Sequence, residues 1–422
     1  MPRQALAYAS LLAAVSVAPL SAASLLVPMD AAQSDHLKAY GLTYWCLQEP
    51  RQYECEWLLN YRCGAFLLPD RGDVRDHARQ MGVSVEPLAD PARAAIYARV
   101  QRENMERIVL TKAPKVAVYV PPDAVPWDDA VRLALEYAEI KYDKVWDREV
   151  LAGKLKDYEW LHLHHEDFTG QFGKFFANYG TQPWYQRAVA TSKGMAAELG
   201  FASVQQLKAA VANKIARWVS NGGFLFAMCL ATDSLDIALA AQGVDIVAPE
   251  IDGTPMDPAP DRKLDYKVTM AFKGFHLETN PALVRLSDID VPPVGKSMLS
   301  SGETFQLFDF SAKQDPIATM LVQCHVSAVP DFLGQTTAFR RSLVKSSAIV
   351  LGDFPGQDKV KYIHGDYGDG TYTFFAGHDP EDYAHIVGEA PTELILHKHS
   401  PGYRLILNNI LFPAAKTKER KT

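Results

Sequence analysis

At 422 residues the chain has room for about two or three domains with sizeable cores. A hydrophobic content of 48% with 22% charged residues is that of a globular protein and excludes collagen, coiled-coil and disordered classes. With 43 basic against 50 acidic residues the net charge is −7, which argues against a nucleic-acid partner.

The chain opens with Arg3, an apolar or small run over 5–20, and Ser21-Ala22-Ala23, the small residues that signal peptidase prefers. Residues 1–23 therefore read as a secretory signal cleaved after Ala23, because Pro19 interrupts the run and it is short for a membrane span. A retained anchor is the alternative. No later segment is long and apolar enough to span, so a periplasmic or secreted protein is expected, with no membrane span after signal removal. Export permits disulfides. Cys46–Cys55 is the expected local bridge, the pairing of Cys63 and Cys324 stays open, and the odd count leaves a free thiol, for which Cys229 is the candidate.

Residues 24–112 alternate strand and helix and form an N-terminal α/β module. A strand is expected over 25–29, a helix opening at 34–40 with Ser34 or Asp35 as its cap, and short apolar strands at 56–60 and 65–68. A turn at 69–72, a helix over 73–81, a strand at 83–87 and a helix over 93–107 follow. A clearer rhythm fills 113–250. It has strands at 115–120, 142–146 and 160–164, a helix over 128–140, and a capping box at Ser203-Val204-Gln205-Gln206. The helix behind that box turns Val204, Leu207, Val211, Ile215 and Trp218 inward and stops at Gly222-Gly223. An apolar run then ends at Cys229, and helical spacing resumes with Leu235, Ala238 and Leu239. Residues 251–340 read as an insertion with β-like pieces at 304–310 and 318–322. The core resumes over 341–415, with strands at 347–354 and 372–376 and a closing helix over 403–412 stopped by Pro413; 416–422 is a basic tail. The alternation predicts an α/β fold, a mostly parallel sheet with helices on both faces, and a ligand site beyond the carboxyl ends of the strands.

Four groups of residues carry chemistry. A cysteine at a strand-to-helix corner meets the unpaired N–H groups and positive dipole end of the next helix, which favour the nucleophilic thiolate. Cys229 is either that nucleophile or a buried core cysteine. In the run from His162 to Asp167, strand alternation puts His162 and His164 on one face, while His165, Glu166 and Asp167 emerge at the strand end. That rim suits substrate contact at His164, His165 and Glu166, or a metal on His162, His164 and Glu166, or a satisfied sheet edge. His378, at the end of a late strand, is placed to serve as general base toward Cys229, oriented by Asp379 or Glu381, or else to fix its loop. The aromatic stretch with Phe172, Phe175, Phe176, Tyr179, Trp184 and Tyr185 is either a loop closing over substrate, with Trp184 in contact, or packing.

The strand–Cys229–helix corner and Gly377-His378-Asp379-Pro380 after a late strand resemble the type-1 glutamine amidotransferase-like superfamily, and are most similar to its trehalose-utilisation (ThuA-like) branch. The whole chain beyond residue 23, including 33–41 and 164–171, also resembles exported bacterial proteins often labelled "asparagine synthetase B". The superfamily resemblance covers 113–250 and 341–415. It implies an αβα sandwich of the flavodoxin-like kind, Cys229 as nucleophile and His378 as catalytic histidine. Ala227 and Ala231 stand where the superfamily's elbow commonly carries glycines. An ATP-dependent synthetase would need a processed N-terminal cysteine and a Ser-Gly-Gly-x-Asp-Ser loop; here position 2 is Pro2, and Ser301-Gly302-Glu303 is not that loop.

Together these readings give an exported cysteine hydrolase of an amide or related acyl bond. Cys229 attacks, His378 exchanges protons, and backbone N–H groups near Leu230 hold the oxyanion. The alternatives are a non-catalytic or carbohydrate-directed binding protein and a metal-assisted hydrolase. The expected partner is a small molecule, sugar or peptide; no cofactor and no nucleic acid is expected.

Overall fold

A computed structural model describes residues 24–122, 124, 128–292, 302–322, 326–384, 386 and 388–415. The expected secretory signal and the basic tail lie outside them. Among the described residues no helix is long and apolar enough to cross a membrane.

The first unit contains β1 (Ser24–Val27), α1 (His36–Leu47), β2 (Cys55–Leu59), β3 (Ala65–Pro69), α2 (Gly72–Met81), β4 (Glu86–Leu88), α3 (Asp90–Arg102) and β5 (Glu106–Leu110). Its strands form an antiparallel sheet in the order β4-β1-β3-β2-β5. Period-2 alternation decides what each face buries. Leu25 and Val27 join the large core beneath α1. Leu26, Leu58 and Leu67 pack under Ile96 and Val100 of α3. Asp35 rather than Ser34 caps α1, its carboxylate accepting the Lys38 N–H at 2.9 Å. Residues 106 and 107, expected at the end of a helix, instead begin the edge strand β5. The expected Cys46–Cys55 bridge is also corrected. Both are free buried thiols, and Cys55 Sγ donates to the Tyr53 carbonyl at 3.5 Å. Cys63 is disulfide-bonded. Cys324 lies outside the described residues.

The second unit begins with β6 (Val116–Tyr119), α4 (Ala130–Tyr137), β7 (Asp143–Val145), α5 (Asp147–Leu151), β8 (Trp160–Leu163), α6 (Phe176–Tyr179), α7 (Pro183–Glu198), α8 (Val204–Ser220), β9 (Phe224–Met228) and α9 (Leu230–Ala240). It continues with α10 (Pro249–Asp252), β10 (Thr304–Leu307), α11 (Ala318–Leu321), β11 (Ala328–Pro330), β12 (Phe339–Arg340), β13 (Ala348–Asp353), β14 (Lys359–Tyr367), β15 (Gly370–Phe375) and α12 (Pro401–Leu411). These strands build one ten-stranded sheet. β7, β6, β8, β9 and β15 are parallel neighbours, and β14, β13, β10 and β11 extend them antiparallel. The expected parallel sheet is thus half of a mixed one. β14 escapes the apolar pattern because Lys359, Lys361 and His364 interrupt it. Lys361 is buried there against Asp331, Nζ to Oδ1 2.7 Å. Residues 318–321, expected as β-like, are the short helix α11.

Both faces of the parallel strands are covered, which is why these strands read as unbroken apolar runs. Val118, Trp160, Phe226, Met228 and Phe375 face the side carrying α1, α4 and α12. Ala117, Leu161, Leu163, Leu225, Ala227 and Phe374 face the side carrying α8 and α9. Ser203 caps α8, accepting the Gln206 N–H at 3.2 Å, and Gly222 ends that helical run at φ +105°.

The two units and the insertion meet at Asn408 of α12. Its Oδ1 accepts the Tyr40 hydroxyl at 2.5 Å, and its Nδ2 donates to the Val322 carbonyl at 2.9 Å and the Met320 carbonyl at 3.3 Å. Asn408→Ala leaves a buried hydroxyl and two carbonyls without this partner. It is expected to cost about 2–4 kcal/mol, read as a lower urea midpoint at unchanged slope.

Candidate active site

Parallel pairing sets the site. Leu163 lies beside Ala227, and Met228 beside Phe375, so β8, β9 and β15 end at one edge. His164 and His165 follow the first of these strands, Cys229 the second, and Gly377 and His378 the third.

Cys229 is the hinge between β9 and α9, at φ 50° and ψ −137°. A non-glycine residue held there costs on the order of 1–3 kcal/mol, and such strain is characteristic of a nucleophile elbow. The thiol is completely buried. Burial pushes its pKa up to about 11, although the backbone N–H groups of Gln335, Thr336 and Leu230 lower it. The expected thiolate is therefore not favoured in this conformation, since desolvation outweighs the donors. The oxyanion donors expected near Leu230 are engaged as well. The Leu230 N–H serves the sulfur, and the Ala231 N–H donates to the His164 carbonyl at 2.9 Å. The Leu230 side chain is buried in the core.

What covers the sulfur is a strap from the insertion, residues 333–337. The His378 N–H donates to the Leu333 carbonyl at 2.8 Å and the Gly377 N–H to the Thr336 carbonyl at 2.7 Å. Gly334 passes so close that a Cβ would stand 2.8 Å from the His378 nitrogen. Gln335 Nε2 donates to the Gly173 carbonyl at 3.1 Å, and Thr336 Oγ1 to Asp233 Oδ1 at 2.9 Å. The strap has no periodicity, and the sequence does not announce it.

The histidines are gathered more tightly than their spacing suggests. The His378 ring meets the His164 ring edge-on at a centroid distance of 4.5 Å and stacks toward His165 at 6.1 Å. One ring nitrogen of each lies within 4.8 Å of those of the other two. Asp129, which in the sequence falls only within the first turn of a helix expected over 128–140, organises them from behind. Its Oδ1 accepts the Val131 and Arg132 N–H groups at 2.8 and 3.0 Å and faces His162 Nε2 at 3.3 Å and His164 Nδ1 at 3.6 Å. Burial alone would raise the Asp129 pKa, but His162, His164 and the helix N–H groups hold it well below the ordinary carboxylate range. His162 Nδ1 meets the Phe226 carbonyl at 3.0 Å, within the sheet. The expected metal set of His162, His164 and Glu166 is not the group that forms. Glu166 folds back so that its Oε2 accepts the His164 N–H at 3.0 Å, and burial raises its pKa.

The carboxylates expected to orient His378 are engaged with other groups. Glu381 pairs with His397 Nδ1 at 3.0 Å and accepts the Tyr383 hydroxyl at 3.2 Å. Asp379, raised by burial, accepts the Glu381 N–H at 2.8 Å. Trp184 belongs to an aromatic knot, with ring centroids 5.4 Å from Tyr179 and 6.0 Å from Tyr185, and is 39% exposed.

No protein-family model and no curated protein matches the chain. Among solved structures it is similar to "Cytoplasmic Protein STM3548 from Salmonella typhimurium", at 12% identity and TM-score 0.35, covering 72% of this chain and 99% of that one. It is also similar to "Cytoplasmic Protein STM1381 from Salmonella typhimurium LT2", at 12% identity and TM-score 0.35, covering 72% of this chain and 100% of that one. Likeness at that level carries no argument about function.

The strap is held by buried acids. Asp290 Oδ1 accepts the Thr337 N–H at 2.9 Å, and burial pushes the Asp290 pKa up to about 7, against the pull of the Thr337 and Ala338 N–H groups, Arg285 and Lys361. Burial and Asp290 together also raise Asp233. A carboxyl raised on folding binds its proton more tightly in the native state, so its contribution grows as pH falls below about 7 and is lost as pH rises through that value. Asp290→Asn is accordingly expected to flatten urea stability between pH 7 and pH 5 by up to about 1.4 kcal/mol per pH unit, the linkage of one proton.

Proposed function

We propose that the chain is an exported hydrolase of an amide or related acyl bond, built on a class I glutamine amidotransferase-like frame, and that the histidine cluster is its working centre. Numbered along the chain, the parallel strands run 2-1-3-4-5, the flavodoxin-like order, which supports that frame. Export rests on the signal-like residues 1–23. The observation that carries the hydrolase reading is the convergence of His164, His165 and His378 within 4.8 Å at the carboxyl edge. A neutral imidazole there takes a proton from water as its oxygen attacks the acyl carbon. The C–N or C–O bond then breaks, and the same proton passes to the leaving group.

A second reading keeps Cys229 as nucleophile, and its strained backbone favours it. That route needs the strap to withdraw, so that the sulfur ionises and the Leu230 N–H turns to the oxyanion. The two are separated by release of ammonia from glutamine and asparagine and of nitrophenol from 4-nitrophenyl acetate. Under the imidazole reading His378→Ala lowers the rate by about 100-fold or more, while Cys229→Ala stays within about threefold. Loss of activity in Cys229→Ala hands the reaction to the thiol, and no turnover of any of the three compounds by the wild-type chain overturns the hydrolase reading.

A further inference from the structure

We propose that His164, His165 and His378 bind one divalent transition-metal ion, with zinc the best match to the donor set. The inference rests on the reading of this edge as the working site and names what the site holds. Three neutral imidazoles with an open fourth position are the ligand set of a catalytic zinc. Ligand nitrogens on a tetrahedral zinc stand about 3.4 Å apart, from Zn–N bonds of about 2.0–2.1 Å. A group already within 4.8 Å closes onto an ion by small rotations of the rings.

The surroundings are those that tune such a site. A metal-bound imidazole commonly turns its other nitrogen to a carboxylate, which fixes the ring and raises its basicity. His164 Nδ1 faces Asp129 at 3.6 Å, and His165 Nε2 faces Asp128 at 3.7 Å. Both rings thus have an acid beside them that can fix their orientation. Asp129 is itself held by the first N–H groups of α4 and is shared with His162, so it acts as a positioning residue. The His165 side chain is 31% exposed, but its Nδ1 and the ring nitrogens of His164 and His378 are buried, so an ion would enter only as the His165 ring turns. With all three rings on an ion, no imidazole of the cluster would be left to accept a proton; the ion would hold the attacking water at its fourth position and lower that water's pKa in place of the imidazole base.

The test is metal binding by the full chain, stripped with a chelator and titrated with Co2+ and Zn2+. Expected are one equivalent of Co2+ with the visible absorption of a tetrahedral site, its displacement by Zn2+, and a thermal midpoint raised by about 3 °C at 100-fold excess over Kd. His165→Ala and His378→Ala should each weaken binding about 100-fold or more, Asp129→Asn by about 10–100-fold, and the exposed His276→Ala not at all. Circular dichroism of each variant separates lost binding from lost fold, and the partly exposed His165 is the substitution least exposed to that objection. No stoichiometric uptake, or uptake unchanged in the folded His165→Ala chain, overturns the proposal. Uptake without turnover sinks only the hydrolase reading, and turnover unchanged in the stripped chain without uptake sinks only the metal.

Discussion

Everything at the candidate site follows from the parallel registration of β8, β9 and β15. In-step neighbours, Leu163 beside Ala227 and Met228 beside Phe375, leave three chain exits at one edge with no room for slippage. A one-residue slip would move every side chain to the opposite face. Trp160 and Phe226 would then leave the α12 side, and Leu161 and Leu225 would leave the α8 side. Because both faces are buried, the cost of that exchange pins the edge, and the edge fixes which histidines meet.

At the elbow two opposing effects act on one sulfur. The α9 end and the strap direct three N–H groups at Cys229, an arrangement that by itself stabilises a thiolate. Complete burial removes water, and the loss of hydration exceeds what three neutral donors return. The same strap supplies two of the donors and the burial, so closing it tightens the bonds while it protonates the sulfur. A strained backbone with an inert side chain is what this balance produces. Any chemistry at the thiol is therefore tied to the position of residues 333–337.

Much of the frame is legible in the sequence, since local physics decides it. Apolar runs bounded by Pro121 and Gly223 read as strands, Ser203 reads as a cap, and the change of period at Cys229 marks the corner. His164, His165 and His378 are each conspicuous at the ends of strands. What stays hidden depends on distant partners. Asp129 shows only as part of a helix's first turn, because its second role comes from histidines more than thirty residues away. β14 hides because Lys361 looks solvent-facing until Asp331 of the insertion neutralises it. Glu381 looks like an orienting acid beside His378 until His397 draws it off. Burial at Cys229 is illegible for the same reason, as the strap that imposes it carries only Leu, Gly, Gln and Thr.

The two candidate centres differ in the charge beside them. Cys229 sits on the α8 and α9 side of the sheet among Ala227, Leu235 and Phe374, a dry setting that disfavours charge. His164 lies beyond the end of β8 with Asp129 behind it and the partly exposed His165 beside it. Proton transfer needs a group that changes charge at low cost, and imidazoles next to a fixed carboxylate meet that need better than a desolvated thiol. A sealed thiol does not meet it until the strap moves. The fold thus gathers a thiol and three imidazoles at one edge, and it is the carboxylates beside the imidazoles that set the two candidate centres apart.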